Sequence, residues 1–166
     1  MTENIESLVR KKIMNLEEAL TWGERLKNEG GKLVFTNGVF DILHAGHVQS
    51  LIAARECGDK LIVGLNSDSS VKRLKGESRP IIGENDRALL LASLSFVDAV
   101  ILFEEDTPLH LINILLPNVL VKSADYSLDN IVGAREVVAN RGVVKIMPLV
   151  QGLSTTAIIQ KIIRGA

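Results

Sequence analysis

Cysteine is nearly absent: the 166 residues contain one, Cys57. That excludes a disulfide framework and any cysteine-rich zinc site. Aromatic side chains make up only 4%, with four Phe, one Tyr and one Trp, too few for a platform on which nucleic-acid bases stack. Neither sign of charge dominates. Lys+Arg 19 against Asp+Glu 20 leaves a net charge of −1, which excludes a strongly basic module that grips a phosphate backbone. No apolar run approaches the ~20 residues of a membrane span. Residues 1–6 carry acids and no apolar core, so no secretory leader is expected. A cytoplasmic protein with no nucleic-acid and no membrane partner is the expectation. Two familiar phosphate loops are missing as well: no GxGxxG follows a strand-like run, and no GxxxxGK[ST] occurs.

What is present is alternation. Short runs rich in Val and Ile read as strands: Lys32–Thr36, Leu61–Leu65, Ala99–Phe103, Val119–Lys122 and Val143–Met147. Nearly continuous apolar character marks strands buried on both faces, as in a parallel sheet. Helical patterns lie between them. Val48–Cys57 ends at Gly58. Asn85–Leu94 begins with two capping residues, Asn85 and Asp86. Thr107-Pro108 opens a helix to about Leu116, Leu128–Asn140 closes at Arg141-Gly142, and Ser154–Arg164 is the last. This order predicts an α/β fold, a Rossmann-like doubly wound five-stranded parallel sheet with right-handed crossovers. Residues 1–30, with a helical pattern over Leu16–Lys27, read as an N-terminal appendage or subunit contact. Residues 31–166 read as the catalytic domain. Ligands of such sheets bind beyond the carboxyl ends of the strands, where strand order reverses.

The first strand-to-helix turn runs Thr36-Asn-Gly-Val-Phe-Asp-Ile-Leu-His-Ala-Gly-His47. Gly38 lets backbone approach a ligand. His44 and His47 flank Gly46, and a helix starting there sets both imidazoles beside free N–H groups that attract phosphate. Chance clustering, or His44 acting only as a cap, explains the pair equally well. Asp41, His44 and His47 also offer three metal ligands, but nothing in the sequence supplies the surrounding shell, and no metal site is assigned.

Gly38-Val-Phe-Asp-Ile-Leu-His-Ala-Gly-His47 resembles the GxFDxxHxGH signature of the nucleotidyltransferase superfamily, which includes cytidylyltransferases and adenylyltransferases. The resemblance extends over roughly residues 32–163. It implies that His44 and His47 are catalytic, and that Lys75, in Lys75-Gly76, is the lysine that approaches the α-phosphate. It implies nucleotide contacts at Thr36, Asn37, Gly38, Phe40, Arg87, Asp125, Gly152, Ser154, Thr155 and Thr156, with Arg87 on the triphosphate and Gly152–Thr156 on the β- and γ-phosphates. It implies acceptor contacts at Asp41, Lys122 and Tyr126. Plainer readings stand beside these: Lys72, Arg73 and Lys75 as a solvated basic face, Ser154 as an ordinary N-cap, Tyr126 as packing.

Within the superfamily the pattern is most similar to the branch that makes ADP-activated heptose. The reaction implied is transfer of AMP from ATP, with Mg²⁺, to a sugar 1-phosphate, D-glycero-β-D-manno-heptose 1-phosphate, in a homodimer. Enzymes of that branch are often fused behind a sugar kinase. No kinase precedes this segment, so a stand-alone form is expected. Glycerol-3-phosphate cytidylyltransferase is the alternative. The arginine such enzymes carry shortly before the GxSTT glycine is missing from Pro148–Gln151, which counts against it. A non-catalytic nucleotide sensor is the alternative of another class.

Overall fold

In a computed structural model, residues 4–123, 130–148 and 152–165 are described. Five strands form one all-parallel sheet: β1 Leu33–Gly38, β2 Lys60–Asn66, β3 Ala99–Phe103, β4 Val119–Ser123 and β5 Val143–Met147, in the order β3-β2-β1-β4-β5. The eight helices of the described residues are α1 Ile5–Arg10, α2 Leu16–Asn28, α3 Ala45–Arg55, α4 Asp68–Lys75, α5 Glu84–Ala92, α6 Leu109–Leu115, α7 Ala134–Ala139 and α8 Thr155–Ile163. The doubly wound, Rossmann-like sheet expected from the sequence is the fold observed.

The alternation along β1 explains the layers. Leu33 and Phe35 point to one face, where they join Ala19 of α2, Leu111, Ile112 and Leu115 of α6, and Val137 of α7. Val34 points to the other, where Leu51 and Ala54 of α3 and Ala88, Leu91 and Ala92 of α5 cover it. Both faces are therefore apolar and buried along β1, which is why its sequence shows no polar alternation; β5, expected to be buried on both faces, is instead an edge strand with Val143 and Ile146 exposed. Residues 12–14 lie along the outer edge of β3. Val100 N–H donates to Lys12 O at 2.8 Å, and Met14 N–H donates to Val100 O at 2.9 Å. An edge that would otherwise offer unpaired backbone groups is thus covered.

The sheet opens where strand order reverses. β1 pairs with β2 from Leu33↔Lys60 to Gly38↔Leu65, but with β4 only at Val34↔Val119 and Phe35↔Leu120. The carboxyl ends of β1 and β4 therefore part and leave a crevice, bridged by the Thr36 hydroxyl donating to Val121 O at 3.0 Å.

Several helix expectations need correction: α1 is not foreseen, and α6 starts at Leu109 with Pro108, not Thr107, at its N-cap. α4 was not expected at all. It is short, with Val71 as its one buried apolar residue, and its start depends on capping: Ser67 Oγ accepts from Ser70 N–H, and Glu84 accepts from Asp68 N–H at 2.6 Å. α5 begins at Glu84 with Gly83 as N-cap, so Asn85 and Asp86 sit inside its first turn rather than capping it. α7 starts at Ala134, not Leu128. Gly133 has φ +85°, and a Cβ there would lie 2.4 Å from Ile112 Cδ1, so a regular helix does not pass through it.

Candidate active site

A cleft of about 560 Å³ lies over the crevice between β1 and β4. Ten of the sequence-predicted residues line it: Thr36, Asn37, Gly38, Phe40, Asp41, His47, Lys75, Lys122, Thr155 and Thr156. They come from the ends of β1 and β4, the β1–α3 turn, the last turn of α4 and the first turn of α8. Separate parts of the chain thus converge where strand order reverses.

The β1–α3 turn is shaped by its backbone. Phe40 and Ile42 both adopt left-handed φ, 49° and 52°. A Cβ on Gly38 would approach the Phe40 ring to 3.0 Å, so the tight return of that ring needs glycine. His44 is the N-cap of α3, and its Nδ1 accepts from Gly46 N–H at 3.1 Å. This bond places the neutral ring's proton on Nε2. The His44 and His47 rings stack with centroids 3.8 Å apart at 22°, and Phe40 meets His47 edge-on at 5.3 Å.

His47 Nδ1 is buried without a hydrogen-bond partner among the described residues. A proton there would be a buried, unsatisfied donor, so the neutral ring carries its proton on Nε2, the nitrogen left to meet a ligand. Burial, with the neighbouring His44 adding to it and Asp41 opposing, lowers the His47 pKa to about 4. Burial also lowers that of His44. At neutral pH His47 is therefore an uncharged N–H donor beside the amino end of α3. His44 does not line the cleft. It caps α3 and props the His47 ring.

Asp41 is 1% exposed and faces inward. Its carboxylate accepts from Arg79 Nε at 2.7 Å, Ile81 N–H at 2.8 Å and Ile82 N–H at 2.9 Å. Burial alone would raise its pKa, but the two backbone donors and the Arg79 guanidinium outweigh that and hold it below the ordinary value. Its backbone oxygen accepts from Thr155 Oγ1 at 2.7 Å, which ties the first turn of α8 to the histidine turn. The Asp41 carboxylate, expected at the acceptor, is thus engaged with Arg79 and the chain that follows it.

Arg87 is corrected more sharply. Its side chain is fully buried, and every guanidinium nitrogen is engaged: Nε donates to Ile82 O, Nη1 to Val39 O and Nη2 to Asp68 Oδ1. It buttresses the cleft from behind. Among the three basic residues of the last α4 turn, only Lys75 lines the cleft. Arg73 is drawn away by Asp106 at 2.7 Å and by Glu104 O, and Lys72 is exposed elsewhere. Lys122 donates to Asn37 Oδ1 across the β1–β4 crevice. Ser154 Oγ accepts from Ala157 N–H at 3.1 Å, so it is an N-cap, and neither it nor Gly152 lines the cleft. Asp125 and Tyr126 lie outside the described residues.

The cleft also takes in residues the sequence analysis did not assign. Asn66 ends β2, Asp106–Pro108 follow β3 and Met147 ends β5. Their position after strand ends was a usable signal. Arg79 stands just after the basic run ending in Lys75, which marks it as part of a cationic segment, but its pairing with Asp41 had no local signal.

Residues 35–161 match the cytidylyltransferase-like family. The chain is 52% identical over 151 residues to the bifunctional protein HldE of Methylobacillus flagellatus, covering 91% of this chain and 31% of that one. It is 53% identical over 139 residues to HldE of Geobacter sulfurreducens, covering 84% and 28%. The chain thus spans about a third of the length of these relatives. Among solved structures, a lipopolysaccharide core biosynthesis protein from Thermoplasma volcanium is 31% identical with a TM-score of 0.60, covering 73% of this chain and 98% of that one. Pantoate-beta-alanine ligase from Francisella tularensis, 16% identical with a TM-score of 0.58 and covering 92% of this chain and 78% of that one, shares the fold. With a doubly wound sheet, an HxGH turn at a helix start and a family match over most of its length, the chain belongs to the cytidylyltransferase-like family of nucleotidyltransferases.

Proposed function

We propose that this chain transfers AMP from ATP to a sugar 1-phosphate, D-glycero-β-D-manno-heptose 1-phosphate, giving ADP-heptose and pyrophosphate. The observation that carries the reading is the convergence of His47, Lys75 and the α8 amino end on one cleft at the β1–β4 crevice. A neutral donor, a cation and a helix amino end together suit a group that gains negative charge during phosphoryl substitution. The sugar follows from the residue pattern of the ADP-heptose branch and from the similarity to bifunctional HldE proteins and to a lipopolysaccharide core biosynthesis protein.

The acceptor's phosphate is already ionised near neutral pH, so its oxygen attacks the α-phosphorus of ATP without a strong base. Pyrophosphate leaves on the opposite side. His47 Nε2–H donates to the α-phosphate, Lys75 neutralises charge as the phosphorus becomes five-coordinate, and the first turn of α8 holds the departing pyrophosphate. Mg²⁺, when brought in with the nucleotide, would supply further charge neutralisation. The chain's acids fit an ion carried by the nucleotide: the cleft carboxylates Asp41 and Asp106 are each paired with an arginine. A cytoplasmic setting, where ATP and Mg²⁺ are plentiful, suits this chemistry. A homodimer belongs to the same reading, supported by Ile162 and Ile163 of α8, which are 70% and 77% exposed.

Pyrophosphate release is the test, with ATP and CTP each crossed against heptose 1-phosphate and glycerol 3-phosphate in Mg²⁺. Turnover confined to ATP with heptose 1-phosphate is expected. Turnover with CTP and glycerol 3-phosphate would keep the chemistry and overturn the substrates; binding of ATP without turnover in any pair would favour a sensor.

A further inference from the structure

Two arginines close to the cleft are spent on the protein itself. Arg87 is buried with each of its three nitrogens bonded to the protein, and Arg73 is drawn out to Asp106 and Glu104. Arg79 is different. It lines the cleft, and only its Nε is committed, to Asp41 Oδ2 at 2.7 Å. Among the described residues neither Nη atom has a hydrogen-bond partner, although the side chain is only 16% exposed. A guanidinium has five N–H donors in a rigid plane, and four of them remain here. The Nη groups are open to the cleft, so a planar fork held at one corner is placed to meet an anion there in a charge-assisted, two-point contact.

The way it is held supports this. The Asp41 carboxylate, fully buried, grips Arg79 Nε and also the backbone N–H groups of Ile81 and Ile82. One group thereby fixes both the guanidinium and the chain that follows it, and removes much of the rotamer freedom an arginine otherwise loses on binding. Asp41 also touches α8 through Thr155. The fork is thus referenced to the same turn that carries His47.

We propose that Arg79 grips a phosphate group of the bound substrates, with Asp41 as the positioning residue that presents its fork. The proposal rests on the nucleotidyltransferase reading and adds to it the arginine that Arg87 does not supply. The chemistry is that of a phosphate oxygen pair facing two Nη groups, and it fits either the acceptor's phosphate monoester or the polyphosphate of ATP.

Calorimetric titration tests this with Arg79→Gln, Arg79→Lys and Asp41→Asn, using α,β-methylene ATP and heptose 1-phosphate as separate ligands. Gln keeps a donor for Asp41 and removes the charge, so the loop stays paired. Arg79→Gln is expected to weaken one of the two ligands by at least about tenfold and to leave the other unchanged; its melting temperature falls because the buried Asp41 carboxylate loses its cation, so binding is read well below the unfolding transition. The ligand that weakens identifies which phosphate is held. Arg79→Lys should fall between, because it restores charge without the fork. Asp41→Asn should weaken the same ligand to a smaller extent. Wild-type affinity of Arg79→Gln for both ligands would overturn the proposal. So would an equal loss for both, matched by Asp41→Asn, since that is the signature of a loop prop. If the wild type binds no heptose 1-phosphate, the substrate reading falls separately. Arg79 is then judged on the ATP analogue and inorganic phosphate, and unchanged affinity for both overturns it.

Discussion

Replacing His47 with alanine is expected to lower kcat by at least ~100-fold while leaving the protein folded, the loss typical of removing one donor from a developing oxyanion. The geometry gives the reason. His47 stands in the first turn of α3, where unpaired N–H groups already favour phosphate, and its ring is held between His44 and Phe40. Its Nδ1 is buried and has no hydrogen-bond partner among the described residues, which leaves Nε2 as the nitrogen that can donate to a ligand in the cleft His47 lines. A donor fixed in this way loses no orientational freedom when the transition state forms. The ring is only partly buried and its polar bonds are few, so thermal unfolding should change little. His47→Gln, which keeps an N–H donor, should recover part of the rate. Unchanged turnover in His47→Ala would remove His47 from the chemistry.

The same imidazole makes a prediction about charge. Its pKa of about 4 lies below the 6.5 of an unstrained histidine. The unfolded chain therefore takes up the proton first, and the His47 contribution to stability is lost as pH falls from about 6.5 towards 4. An NMR titration of the ring should show its midpoint near the lower value. A midpoint near 6.5 would mean that His47 enters the reaction as a partly charged group.

Lys75→Ala is the second large effect, expected at about 100-fold in kcat with a much smaller change in the KM for ATP. Lys75 is the last residue of α4, where the helix carbonyl ends favour a cation, and its exposed side chain lines the cleft. Charge at the α-phosphorus is greatest in the five-coordinate transition state, so a cation placed there acts on turnover more than on ground-state binding. Lys72→Ala provides the control, being exposed on the same helix away from the cleft, and should behave as wild type. A KM effect alone would make Lys75 a binding residue. Equal losses in Lys72→Ala and Lys75→Ala would point to a general basic face instead.

The contrast between Lys75 and Arg87 shows what the sequence carries and what it does not. Features written in one contiguous stretch were legible. The strands β3 and β5 run between the residues their apolar patterns mark, and the HxGH turn sits at a helix start as its spacing requires. Ser154 caps α8 as its position suggests. What failed depends on partners far along the chain. Arg87 has the place of a phosphate-binding arginine, yet Val39 O, Ile82 O and Asp68 claim its fork. Asp41 meets Arg79 across 38 residues of sequence, and no local pattern announces that pair. The missed helix α4 is similar, since its first turn is capped by Glu84 from the next helix. The late start of α7 follows from contact between Gly133 and Ile112, a tertiary constraint on a stretch with good helical periodicity.

The central claim is that the acceptor's phosphate oxygen attacks the α-phosphorus of ATP, and the fate of labelled phosphorus tests it most directly. ATP labelled at the α-phosphorus and ATP labelled at the γ-phosphorus are incubated separately with Mg²⁺ and heptose 1-phosphate, and the products are separated. The account predicts that the α-label passes into the nucleotide-sugar and the γ-label into pyrophosphate. A γ-label on the sugar, or α-label left wholly in free AMP or ADP, would contradict it.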